Sequence, residues 1–288
     1  MRLGFRRFHI FEQRGRLSVT GWVGVGLCAA VVAVGLLGPF FAPFAPDELI
    51  GAAYAKPSLD HVLGLDYLGR DVLSRFLWGG RTALALAFLA TLLGYAIGLP
   101  IGLIAAYRRR WTDQVLMRAN DVALAFPGLI FVLLLLSAFG SDVKLIVLAV
   151  ALANAPRVAR IVRASALEVV SLPYVEAARA RGEPGYWVGG REIMPNIAAP
   201  ILVDFGIRLT GSILLVAGVS FLGLGLQPPA ADWGLMIAEN RGGITIQPWA
   251  VVAPVLAIGL LTIGINLIID GYGASERARA EELVVPPR

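Results

Sequence analysis

TALALAFLATLLGYAIGLPIGLIAAY, residues 82–107, runs for twenty-six positions without a charged side chain and stops at Arg108-Arg109-Arg110. A helix rises about 1.5 Å per residue, so about twenty apolar residues cross a hydrocarbon layer of about 30 Å. This run is long enough, and its basic end suits a lipid headgroup boundary. Gly94, Gly98 and Gly102 recur at intervals of four and lay a smooth strip on one helix face, where another backbone can come close. Pro100 removes a backbone donor in the same region and predicts a bend.

Five more runs of the same kind read outward from it, at 21–44, 119–139, 143–162, 200–226 and 249–269. Over 288 residues, 57% are hydrophobic and 16% charged, against about 25% charged in ordinary soluble domains. The mean hydropathy of +0.74 agrees. The expected fold is an all-α integral membrane protein of about six transmembrane helices. Arg6, Arg7, Arg14 and Arg16 precede the first run, but that run exceeds the 7–15 or so apolar residues of a secretory signal. Leu27 before Cys28 is not the small residue a lipoprotein cleavage site requires, so the first helix is expected to remain uncleaved. The chain divides into an N-terminal segment 1–20, a membrane domain 21–273 with loops at 45–80 and 165–199, and a tail 274–288.

With six spans both termini share a side. Eighteen of the 25 Lys and Arg fall on it, six on the other, and Arg208 lies inside a span. The excess marks the cytoplasmic side, so the termini and the 165–199 loop are expected there. The pI near 9.7 follows from topology and anionic lipid at the inner leaflet, and implies no nucleic acid. One cysteine excludes a disulfide within the chain, and His9 and His61 stand apart, so no metal site and no catalytic constellation is expected. A phosphate-binding loop needs a Gly-Lys pair; Lys56 and Lys144, the two lysines, follow Ala55 and Val143.

Charges within spans are functional candidates, since each costs about 2.5–3.5 kcal/mol at a helix centre. Asp204 and Arg208 are four apart and are expected to neutralise each other; a pathway role is the other reading. Arg157, Arg160 and Arg163 recur every three residues, either snorkelling to phosphates or lining the inner mouth of a pathway. Asn120 and Asp121 are expected near an interface, and Phe126-Pro127 marks a bend.

In the 165–199 loop, Ser171 is a candidate N-cap and Pro173 suits a first helical turn. Residues 174–181, Tyr-Val-Glu-Ala-Ala-Arg-Ala-Arg, favour helix, and Gly182 is a left-handed stop. Ala177 and Ala178 make a thin side that fits a partner's groove, and Glu176 suits the helix N-terminus. On the opposite side of the membrane, Asp66, Gly69, Arg70, Asp71 and Arg75 in the 45–80 loop and Trp233 in a second loop are candidates for a docking rim. Asp71 and Arg75 also read as an i,i+4 helix pair.

Glu176-Ala177-Ala178 with Gly182 six residues on, then Met194-Pro195-Asn196, resembles the EAA loop of binding-protein-dependent ABC importer permeases. His61-Val62-Leu63-Gly64-Leu65-Asp66, Leu68-Gly69-Arg70-Asp71-Val72-Leu73-Ser74-Arg75 and Phe126-Pro127-Gly128-Leu129 narrow the resemblance to the dipeptide, oligopeptide and nickel branch, second-permease type. The segments Ser220-Phe221-Leu222-Gly223-Leu224-Gly225-Leu226-Gln227-Pro228-Pro229 and Asp232-Trp233-Gly234 agree, and the likeness runs from about 17 to 273. Three places depart from the branch's pattern: the glycines between Gly182 and Gly190, which predict a looser second half of the loop; Glu192 at an apolar position; and the end from Asp270 to Arg277.

The resemblance implies a type I ABC importer permease fold with a cytoplasmic coupling helix. It implies an inner-membrane subunit working by alternating access with a second homologous permease, two cytoplasmic ABC ATPases and an extracytoplasmic solute-binding protein. ATP and Mg²⁺ would be bound on the ATPases and no cofactor in this chain. Tyr174, Glu176, Ala177, Ala178, Gly182 and Pro195 would couple to an ATPase, and Asp204, Arg208 and Arg157 are candidates for the translocation pathway. Di- or oligopeptides are the implied cargo, with nickel chelates, glutathione or oligosaccharides as alternatives. A membrane scaffold that transports nothing is the alternative of a different class.

Overall fold

The computed structural model describes residues 18–284. The arginines at 2, 6, 7, 14, 16 and 288, counted above on the terminal side, lie outside the described residues. The helices are α1 (Val19–Leu37), α2 (Val72–Arg108), α3 (Arg110–Leu124), α4 (Gly128–Phe139), α5 (Val143–Val170) and α6 (Pro173–Ala180). They continue as the single turn α7 (Gly185–Trp187), α8 (Met194–Phe221), α9 (Trp233–Asn240) and α10 (Trp249–Val284). Among the described residues the extended pairing is one isolated bridge, Leu65 with Asp71.

Five stretches are long and apolar enough to cross a membrane: Val19–Phe40, Val72–Arg108, Val143–Val170, Gly185–Phe221 and Trp249–Tyr272. The span expected at 119–139 is not straight, because α3 and α4 meet at 82°. Pro127, the N-cap residue of α4, has no N–H and disfavours helix at Phe126, so the bend falls there. The twelve residues of α4 reach only about 18 Å. By contrast, Pro100 and Pro156 sit inside helices that remain continuous, so the bend expected at Pro100 does not break α2. Helix α2 also starts ten residues earlier than expected, because Asp71 caps it by accepting the Ser74 N–H at 2.7 Å.

The glycine strip has its partner in α5. A Cβ on Gly94, Gly98 or Gly102 would lie 3.2, 2.5 or 2.6 Å from the carbonyl oxygens of Ala151, Ala155 and Ala159 respectively. Each glycine thus meets the alanine fifty-seven positions on, which makes the two helices parallel and locks their register over two turns. At the upper end Ser212 of α8 joins them: Thr91 Oγ1 lies 2.8 Å from Ser212 Oγ, and Asn154 Nδ2 donates to it at 2.9 Å. Interhelical hydrogen bonds of this kind contribute roughly 0.6 kcal/mol each, up to about 1.7. The antiparallel pair α1–α10 repeats the device, with a Cβ on Gly24 falling 2.6 Å from the Gly264 carbonyl.

On the face opposite the termini the 45–71 loop and α9 close over the start of α2. Trp233 is fully buried, stacks on Phe76 at 5.7 Å and donates its Nε1–H to the Phe76 carbonyl at 2.9 Å. Since dispersion rather than hydrophobic burial holds helices together in lipid, the α2–α5 contact tolerates no added carbon. Gly98→Ala should lower the Tm of the detergent-solubilised protein by a few degrees, the effect of about 1–3 kcal/mol of overpacking. Gly259→Ala, where a Cβ meets nothing within 4 Å, is the control; equal melting of the two variants would contradict the packing described.

Candidate functional site

Helix α6 carries the residues singled out on the terminal side. Pro173 occupies its first turn and Leu172 its N-cap; Ser171 is not the cap, because its hydroxyl donates back to the Glu168 carbonyl at 3.1 Å. At the other end Glu183 N–H reaches the Ala178 carbonyl at 3.2 Å and Gly182 N–H the Arg179 carbonyl at 2.9 Å. With Gly182 at φ +77° this is a Schellman stop, which a side chain would strain.

Val175 and Ala178 face inward, fully buried in a cluster with Val158, Val162, Val188 and Ile197. Ala178 therefore packs on its own bundle, and the outward face is Tyr174, Glu176 and Ala177, followed by Gly182, with Pro195 exposed nearby. Burial, with Glu192 beside it, raises the Tyr174 hydroxyl above the ordinary tyrosine value. Arg179 fastens the helix to the end of α2: its guanidinium lies 4.2 Å over the Tyr107 ring and donates to the Tyr107 carbonyl at 3.1 Å. That ring also stands against Gly185, where a Cβ would come within 2.9 Å. Beyond it the glycine-rich stretch is not loose. Residues Gly185–Phe221 form one span that passes through a π-helical turn at Val188–Ile193. Gly189 and Gly190, which have open space around them, sit in that turn.

The residues expected as a docking rim are buried instead. Asp66, Arg70, Asp71, Arg75 and Trp233 are at most 3% exposed, and Gly69 is buried with them. Asp66 takes Arg70 Nε at 2.7 Å and Arg75 Nη1 at 3.3 Å; Glu239 takes Arg70 Nη2 at 3.0 Å and Arg75 Nη2 at 2.8 Å. Tyr67 Oη donates to Glu239 at 3.1 Å and Asn240 accepts the Tyr67 N–H at 3.0 Å. Asp71 does not pair with Arg75 as the i,i+4 spacing suggests; it caps α2 and faces His61 at 3.5 Å. These groups bind the 45–71 loop to α9 from inside, and none of their own side chains faces outward. Glu239, Tyr67 and Asn240 escape sequence reading because they meet Arg70, Arg75 and one another only through the fold.

Burial raises the Glu239 carboxyl above the ordinary glutamate value, opposed by the Arg70 guanidinium. Asp232, the cap of α9, is also pushed up, because it is wholly buried and its hydrogen bonds, from Leu235 among others, only partly offset desolvation. Its second carboxylate oxygen has no hydrogen-bond partner.

Between the two faces lie the charges of the spans. Asp204 accepts Arg208 Nη2 at 2.9 Å and Tyr95 Oη at 2.7 Å, so the i,i+4 pair forms and is tied to α2. Arg160 pairs with Asp121 at 2.7 Å and Arg163 with Asp113 at 2.5 Å, clamping α3 along α5. Arg157 alone of the three lacks a carboxylate; its Nη1 donates to the Ala153 carbonyl at 3.0 Å.

An all-helical bundle with five to six membrane-length spans and a short exposed helix between two of them is the architecture of a polytopic membrane protein. Residues 98–274 match the family model described as the binding-protein-dependent transport system inner membrane component, and the chain belongs to that family. It is a permease subunit of a binding-protein-dependent ABC importer. The glutathione transport system permease protein GsiD of Pectobacterium atrosepticum is 41% identical over 215 residues, 75% of this chain and 71% of the relative. GsiD of Shigella dysenteriae serotype 1 is 36% identical over 266 residues, 92% and 88% of the two chains. An inward-facing structure of the MetNI methionine ABC transporter aligns with TM-score 0.54 at 18% identity, covering 69% of this chain and 96% of that one, which shows the type I permease fold.

Asp232 supplies a pH test. Its pKa is raised in the folded state, so its favourable contribution is complete below the ordinary aspartate value and is lost as pH rises through the folded value. Asp232→Asn keeps the acceptor for Leu235 without the charge. The variant should therefore show a flatter dependence of Tm on pH above the ordinary aspartate value than the parent. Parallel profiles would show that Asp232 does not titrate abnormally.

Proposed function

We propose that this permease imports peptides, glutathione among them, by alternating access, with ATP and Mg²⁺ bound and ATP hydrolysed on partner ATPase subunits. The cargo reading rests on the glutathione named for the GsiD relatives and on the peptide-branch motifs at 61–75 and 220–234. A second homologous permease completes the pathway, an extracytoplasmic binding protein delivers the cargo, and both termini lie in the cytoplasm. Within this reading Tyr174, Glu176, Ala177, Gly182 and Pro195 form the surface that meets an ATPase, with Ala178 holding that surface from behind. Asp204, Arg208 and Arg157 border the pathway.

The observation that carries the coupling role is the mounting of α6. Its outward face is bare, its end is fixed by the Gly182 stop, and Arg179 joins it to Tyr107 at the tip of the longest helix. A push on Glu176 or Ala177 therefore reaches α2 through a guanidinium stacked at 4.2 Å, not through a flexible loop. Two-state rocking of a packed bundle needs such a stiff contact, since coupling depends on differential interactions in the two states.

In the complete importer reconstituted in lipid, cargo-loaded binding protein should stimulate ATP hydrolysis. Glu176→Ala and Arg179→Ala should each reduce that stimulation by roughly tenfold, within the usual range of coupling free energies. Full stimulation in both variants would refute the role given to α6.

A further inference from the structure

We infer that Arg157 receives the terminal carboxylate of the cargo inside the membrane; this rests on the peptide-import reading above. Arg157 is fourteen residues from the start of α5, and Arg208 fourteen from the start of α8. Arg157 therefore sits about 20 Å from either end of α5, whereas Arg208 lies about 35 Å from the start and about 20 Å from the end of its span Gly185–Phe221. Arg208 already has a carboxylate, Asp204, which also accepts from Tyr95 Oη.

The neighbouring basic residues are provided for and Arg157 is not. Arg160 has Asp121 and Arg163 has Asp113, while the hydrogen bond recorded for the Arg157 guanidinium goes to a carbonyl of its own helix. Its outer nitrogens lie 3.5 Å from where a Cβ on Gly128 would stand, so the residue opposite brings no side chain to cover them. Gly128 opens α4 just past the 82° bend, and Arg157 stays half-buried there although Asn120 of α3 donates to the neighbouring Pro156 carbonyl at 2.8 Å. A guanidinium at this depth is costly without an anion, and its planar fork suits a carboxylate held by two parallel hydrogen bonds.

The chemistry selects among cargoes. Every unmodified peptide, glutathione included, carries a C-terminal carboxylate, whereas a neutral oligosaccharide has none. Arg157 is accordingly a specificity determinant that favours anionic over neutral cargo. A carboxylate from the second permease is the competing occupant.

The test uses the complete importer in proteoliposomes, with a tripeptide and its C-terminal amide as probes, each rate compared at equal saturation of the binding protein. The parent should transport the acid faster than the amide. Arg157→Gln should slow the acid by about tenfold, to the level of the amide, and leave the amide unchanged. Arg157→Lys, which keeps the charge, should retain most of the acid transport and shows that the site is not merely a folding requirement. Equal loss for both probes would assign Arg157 to the interface with the second permease, and no loss for either would remove it from the pathway; both outcomes overturn the inference. If the parent transports neither probe although the binding protein captures it, the peptide reading fails first and this assignment falls with it.

Discussion

The contact between α2 and α5 is the constraint on which the remaining architecture hangs. Three glycines meet three alanines in one register, with a Cβ on Gly98 or Gly102 excluded by carbonyl oxygens at 2.5 and 2.6 Å. In lipid, where apolar side chains gain little by leaving one apolar phase for another, close backbone approach is the main source of helix association. That approach sets the level at which Asn154 reaches Ser212 and Thr91, and the level at which Tyr95 meets Asp204. It also aligns the end of α2 with the segment after α5, so that Tyr107 stands under Arg179.

Helix α2 spans thirty-seven residues, about 55 Å, and both ends are held by arginine. At one end Arg179 stacks on Tyr107; at the other Arg75, on the first turn of α2, is shared by Asp66 and Glu239. Removing one partner of such a buried network leaves an uncompensated charge, which costs several kcal/mol, so these positions act as fixed joints. A short exposed helix and the closed 45–71 loop are thereby attached to opposite ends of a single rod.

Much of this was legible in the sequence, and the parts that were not share a cause. The apolar runs, the glycine strip, the left-handed Gly182 and the Asp204–Arg208 pair depend on local spacing, which a single chain displays. The partner of the strip was invisible, since nothing local says that position 98 meets position 155. Asp71 and Arg75 misled because four-residue spacing is only a permission; a buried Glu239 164 residues away and the capping of Ser74 N–H compete for the same groups. Ala177 and Ala178 are identical in sequence and opposite in environment, because the helix rotates by about 100° per residue and only Ala178 turns to the core. The glycines at 185–190 suggested looseness, yet the close approach of Gly185 to Tyr107 and a π-helical turn convert them into ordered helix.

The measurement that bears most directly on α2 as a rigid connection is a distance between its two attachments in the working complex. Spin labels placed at Val62, 60% exposed on the outer loop, and at Arg181, exposed beside the Gly182 stop, report it in a Cys28→Ser background. Between the nucleotide-free and ATP-trapped importer the separation should hold within about 2 Å while the bundle as a whole reorients. A change of about 5 Å, one helical turn or more, would mean that α6 moves independently of α2 and would contradict the rigid connection.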